Sequence, residues 1–147
     1  MGKLQKAWFL VADREHARLV EASRTPHGRC HLDVHGEFRP QWLESEHARP
    51  SPLGGKDGHS YASVGHEDEE RLHRFVNELG DWVTGCVKQH GIESMSVYCS
   101  AQVLGEIRRR WDKSLQSIAE PKELNIAHLP TPELQSHQAI KKLVEVD

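Results

Sequence analysis

No apolar run in this chain approaches the roughly 18 residues that would span a bilayer, so membrane insertion is not expected. Cysteine is scarce: Cys30, Cys86 and Cys99 are odd in number and form no Cys-x-x-Cys pair. That excludes a disulfide framework and a cysteine-based zinc site, and no nearby base activates a thiol for nucleophilic work. Charge of one sign is lacking too. Nineteen Lys and Arg against 22 Asp and Glu leave a net −3, so any hold on nucleic acid has to be local rather than a bulk basic surface. There is no Walker pattern and no Gly-x-Ser-x-Gly elbow. The start, Met1-Gly2-Lys3-Leu4-Gln5-Lys6, lacks a cleavable signal pattern, and Lys6 breaks the myristoylation pattern. A cytoplasmic protein that needs no cofactor is the expectation.

What remains is an ordinary globular composition, 37% hydrophobic and 28% charged over 147 residues. One domain over 1–147 suits that length. Ala7–Asp13 is a nearly continuous apolar run and reads as a buried strand; Ala17–Ala22 and His31–Phe38 read as two more. From about Gly65 the period becomes helical. Leu72, Phe75, Val76, Leu79, Val83, Cys86 and Val87 fall on one face, Glu67, Asp68, Glu69 and Glu70 fall in the first turns, and His90-Gly91 marks the stop. Ser94–Ser100 alternates as a strand, and Ala101–Leu115 is a second helix burying Leu104, Ile107, Trp111 and Leu115. Ser117–Glu120 is a short strand stopped by Pro121. Thr131 as N-cap and Pro132 at the first position open a last helix to about Glu145. The order β-β-β-α-β-α-β-α predicts an α/β domain, one mixed sheet with helices on its faces.

Between the third strand and the first helix, residues 40–65 show no hydrophobic period. They hold Pro40, Pro50, Pro52, Gly54, Gly55, Gly58 and Gly65. Structureless segments of this length inside a compact domain are uncommon and are usually functional or disordered. The expected ligand-binding residues are therefore Arg49, Gly54, Gly55, Lys56 and His59. Two readings of Gly54-Gly55-Lys56 stay open. The glycines let backbone N–H groups approach a phosphate with Lys56 as countercharge, or the tripeptide is a plain surface turn. Arg49 and Lys56 against Glu44, Glu46 and Asp57 give the loop a net −1.

Four segments, in order along the chain, carry a resemblance. They are Val11-Ala12-Asp13 with Ala17-Arg18-Leu19 and Glu21; His66-Glu67-x-x-Glu70-x-x-x-x-Phe75; Val103-Leu104-Gly105-Glu106-Ile107-Arg108; and Ile126-Ala127-His128-Leu129-Pro130 leading to Glu133-Leu134. Together they resemble the bacterial host attachment protein family ("protein required for attachment to host cells"). That family is similar in turn to the middle domain of archaeal and eukaryotic peptide-release factors. The resemblance implies a ribonuclease H-like sheet and a translation-linked role touching the ribosome or tRNA, with no established reaction. In the release factors the matching loop carries a Gly-Gly-Gln placed at the peptidyl-tRNA ester. Lys56 has no carbonyl to orient water, so the glutamine's role does not carry over.

Three side-chain sets are further candidates. Asp13 ends the first strand, and Glu70 or Asp68 begins the first helix, as a two-metal nuclease would want; yet Ser94–Ser100 adds no acid, and a turn or capping role for Asp13 competes. Histidine is abundant, 11 of 147, and His66, Glu69 or Glu70, and His73 share one side of the helix with a Glu-x-x-His step. Surface histidines and first-turn acids explain the same pattern without metal. Arg109, Arg110 and Lys113 can share a polar side and bind an anion, or form a solvated face beside Glu106. Trp42 in the loop region anchors that loop or meets a partner. The combined expectation is a non-catalytic binding domain acting through residues 40–65. The alternatives are a metal-dependent phosphoester or ester hydrolase around Asp13 and Glu70, and a homo-oligomeric interaction module using the same loop.

Overall fold

The computed structural model describes residues 5–43 and 60–146, with side chains from Glu67 onward in the second stretch. Three strands, β1 (Lys6–Ala12), β2 (Ala17–Arg24) and β3 (Cys30–Phe38), form an antiparallel meander. Helix α1 (Ser60–His90) then crosses to β4 (Met95–Cys99), which lies parallel to β1. Two short helices, α2 (Ala101–Arg110) and α3 (Lys113–Ile118), lead to β5 (Ala119–Glu123), parallel to β4. The chain closes with α4 (Thr131–Ser136) and α5 (Gln138–Leu143). Strand order is β3-β2-β1-β4-β5, one mixed sheet as the element order predicts and in keeping with the ribonuclease H-like sheet that the resemblance implies.

The alternation of β1 decides which helix covers which face. Leu10 and Ala12 point to one side and join Leu72, Phe75, Val76, Leu79 and Val83 of α1 with Val103 and Ile107 of α2. Phe9 and Val11 point to the other and join Val20, Ala22, Ile126, Leu134, Ile140 and Val144. Phe9, Leu10, Val11 and Ala12 are all fully buried, as a strand covered on both faces must be. The α1 stop reads as a Schellman end: Gly91 has φ +63°, and the Ile92 N–H reaches back to the Val87 carbonyl at 3.0 Å. No described helix is long and apolar enough to cross a membrane.

Several boundaries differ from those the sequence predicts. Residues 41–43 and 60–65, expected within the structureless stretch, are helical; residues 44–59, with Arg49, Gly54, Gly55, Lys56 and His59, lie outside the described residues. Glu67–Glu70 consequently sit beyond the first turn of α1. The expected helix Ala101–Leu115 breaks at Trp111, which is extended (φ −77°, ψ 142°). Asp112 then caps α3, its Oδ1 accepting the Leu115 N–H at 2.8 Å. The break turns the Trp111 indole inward, where Nε1–H donates to the Val76 carbonyl at 3.0 Å. β5 continues through Pro121, which a strand at the sheet edge tolerates. Pro130, not Thr131, occupies the N-cap of α4, without a side-chain cap. The last helix divides at His137, whose Nδ1 accepts the Ala139 N–H. Hydrophobic period alone does not reveal these breaks, because the apolar residues on either side keep helical spacing through them.

The α1–α2 contact is tight at Gly80, where an added Cβ would stand 2.8 Å from Trp111 Cδ1 and Nε1. Overpacking costs about 1–3 kcal/mol, against a propensity gain of up to ~1 kcal/mol for Gly to Ala in a helix. Gly80→Ala therefore lowers stability. Gly85 is exposed on the same helix with nothing within 4 Å of an added Cβ, so Gly85→Ala raises stability by about 0.5–1 kcal/mol. Urea unfolding followed by tryptophan fluorescence checks both signs; a gain at Gly80 or a loss at Gly85 contradicts this account of the helix contact.

Candidate functional site

Polar side chains gather where α1 faces α2. Ser100 caps α2, its Oγ accepting the Val103 N–H, and this sets Val103, Glu106 and Ile107 toward the core. Glu106 is the one buried charged side chain among the described residues. Its carboxylate takes Arg110 Nε at 2.6 Å, Arg109 Nη1 at 2.7 Å and, across from α1, His73 Nε2 at 3.4 Å. Burial works to raise the Glu106 pKa. The hydrogen bond from Arg110 and the charges of His73, Arg110 and Arg109 outweigh it and hold the carboxyl below its ordinary range. The three cations expected to form an anion site stand differently toward Glu106. Arg109 and Arg110 are drawn to Glu106, while Lys113 stands exposed beyond the break, at the start of α3.

One turn of α1 further on, Trp42 is fixed. Its Nε1–H donates to Glu78 Oε1 at 2.9 Å, and Arg74 lies 4.4 Å over the ring while donating from Nε to Glu78 Oε2 at 3.0 Å. The loop's N-terminal root is therefore clamped to the helix stretch that also carries His73.

Asp13 serves the β1–β2 turn. Its Oδ1 accepts the N–H groups of Glu15 and His16, each at 2.7 Å, and its own N–H donates to the His16 carbonyl at 2.9 Å. The turn role that competes with catalysis for Asp13 is thus taken up by Oδ1. Glu70 is exposed on α1. The His66 side chain lies outside the described ones, and His73 turns to Glu106. Among the described residues no group of three His, Cys, Asp or Glu is placed to hold a metal ion. All three cysteines are free; burial raises Cys30 and Cys86 and pushes Cys99 up to about 12, which leaves it an inert thiol.

A family model, bacterial archaeo-eukaryotic release factor family 12, matches residues 6–137. The chain belongs to this family. The match spans all five strands, the Glu106 cluster and the segment around His128. No curated protein matches the sequence. Among solved structures, the type II variant of the Aquifex aeolicus Ppx/GppA phosphatase aligns over 81% of this chain and 36% of its own, at 12% identity and a TM-score of 0.36. The Aquifex aeolicus PPX-GPPA enzyme aligns over 82% and 36%, at 10% identity and 0.39. This chain spans little more than a third of the length of those proteins, and a likeness so slight carries nothing about its reaction.

The sequence pattern does not single out Glu106 as a centre, nor His16 or Glu37, and Arg18 stands out only within the Ala17-Arg18-Leu19 match. A signal for Glu106 was nonetheless present: an acid between core positions Val103 and Ile107, with arginines three and four residues on. Arg18 was visible as a lone cation between strand residues Ala17 and Leu19, both of which are buried.

Two outcomes follow from the Glu106 cluster. Arg109 is 71% exposed and Arg110 29% exposed. Arg109→Ala accordingly costs under about 1 kcal/mol, and Arg110→Ala about 1.5–3 kcal/mol, measured by chemical denaturation; equal losses would refute the ranking. Because the folded state depresses the Glu106 pKa, the stability it contributes is fully present above the unfolded value, about 4.3, and is lost as pH falls through the folded value. Glu106→Gln removes that contribution. The wild type should therefore lose more stability than the variant between about pH 5 and pH 3, and parallel curves would show that Glu106 is not the group responsible.

Proposed function

We propose that this release-factor family domain binds ribosomal or transfer RNA without catalysing a reaction, through residues 40–65 together with the exposed cations at the end of α2. The family match over residues 6–137 is the observation that carries the reading. Two features of the fold support it. Trp42 ties the start of the 40–65 segment to α1 through Arg74 and Glu78, and the neighbouring His73 ties the same helix to Glu106 and its arginines. Over residues 106–113, Arg108, Arg109, Arg110 and Lys113 bring four cations against Glu106 and Asp112, so the stretch keeps a net charge of +2. Lys56 adds a cation to the segment between two glycines and an acid. A backbone-directed contact of this kind holds phosphates and reads little sequence. Any effect on attachment to host cells would then be indirect, through translation.

Co-sedimentation with ribosomes is the test. Binding should be present at low salt and weaken as salt rises, and each phosphate contact removed should reduce the salt slope by about 1. Lys56→Ala and the double change Arg109→Ala with Lys113→Ala each weaken binding and flatten that slope. Arg109 and Lys113 are both exposed, so loss of fold does not confuse the reading. Absence of co-sedimentation at low salt overturns the proposal, and a concentration-dependent mass in solution would favour a protein-interaction module instead.

A further inference from the structure

On the face away from α1, a cavity of ≈ 470 Å³ opens between β2–β3 and residues 127–131. Its lining divides by chemistry. Val34, the one large hydrophobic residue left exposed (42%) among those described, forms an apolar wall with Leu129 and Pro130. Arg18, Glu37 and His16 form a polar end. Arg18 and Glu37 are register partners on β2 and β3, so their side chains leave the sheet side by side on this face.

They do not pair with each other. Arg18 donates from Nη2 to the carbonyls of Ala127 (3.1 Å) and Leu129 (2.5 Å), while its Nε–H is buried with no partner among the described residues. Glu37 is 62% exposed and, among the described residues, pairs with His16 Nε2 at 3.0 Å. A buried guanidinium donor left without an acceptor is costly, and in native proteins it usually marks an ion, a water or a ligand position. The size of the cavity falls in the range of small-ligand sites.

The surrounding charges decide which ligand fits. A bare anion at Arg18 would also meet Glu37 and Asp13, whose charges reach this guanidinium. A bare cation at Glu37 would meet Arg18, with His16 and His128 close at hand. The lining is balanced, with opposite charges on adjacent positions and an apolar wall beside them. We propose that this cavity binds a small zwitterion of the α-amino-acid type, its carboxylate on Arg18, its ammonium on Glu37 and an aliphatic side chain against Val34 and Leu129. A guanidinium N–H matches a carboxylate, and the two charged groups of an α-amino acid are carried on one carbon atom, close together as the two side chains are on neighbouring strands.

The test is a titration of the full chain with L-leucine, read by the methyl NMR signals of Val34 and Leu129. Leucine should shift both signals saturably. N-acetyl-leucine, which lacks the ammonium, and leucine amide, which lacks the carboxylate, should each bind about tenfold more weakly, the worth of one charged hydrogen bond. Glu37→Gln, at an exposed position, should weaken leucine to a similar degree and leave N-acetyl-leucine unchanged. Val34→Ala should weaken leucine more than glycine. Arg18→Lys is the less clean variant, because Arg18 also ties down Ala127 and Leu129. The proposal is overturned if leucine leaves both methyl signals unmoved at 10 mM, roughly the weak-binding limit for such a ligand. It is equally overturned if acetate alone moves them as strongly as leucine, or if Glu37→Gln has no effect.

Discussion

Burial of β1 on both faces is the constraint from which the rest of the molecule follows. With Phe9 through Ala12 sealed from water, one layer of helix cannot complete the domain. The apolar stripe of α1 covers the Leu10 and Ala12 side, and the chain must then supply a second cover for Phe9 and Val11. That is the work of Ile126 and Val144 together with Leu134 and Ile140, the last two from helices of six residues each that could not persist alone. The short C-terminal helices owe their existence to the sheet.

The same constraint explains where charge is tolerated. Glu106 enters the α1–α2 seam only because three nitrogen groups meet its carboxylate, and removing one partner exposes the cost of keeping the others in place. Arg18 enters the opposite layer under the same rule but is less completely served, since main-chain carbonyls of the 127–131 segment satisfy one amino group and leave Nε. A fully served charge reads as architecture. One served in part, beside open space, reads as a place for something else.

Much of this was legible in the sequence, and the reasons are physical. Strand and helix periods differ enough that Ala7–Asp13, the face from Leu72 to Val87, and the alternation in Ser94–Ser100 each admit one reading, and together they fix the element order. Breaks were less legible. Trp111 and His137 interrupt helices through cap hydrogen bonds and an inward-turned indole, and these depend on partners such as Val76 that lie far away in the chain. Within the site, the proximity of Arg109 and Arg110 to Glu106 could be read from three- and four-residue steps. The convergence of Arg18, Glu37 and Leu129 could not, because it needs the β2–β3 register and the return of the chain beneath the sheet.

The sheet order carries a consequence for how the chain comes into being. The meander β1–β3 is built from near neighbours and can pair as soon as it is made, but the partner on β1's other side, β4, arrives only after the whole of α1. Until then an apolar strand stands with one row of amides and carbonyls unmatched, the situation in which nascent polypeptides stick to one another. The long helix is thus also a delay: its docking covers the Leu10 and Ala12 face, but that margin stays open until β4 arrives.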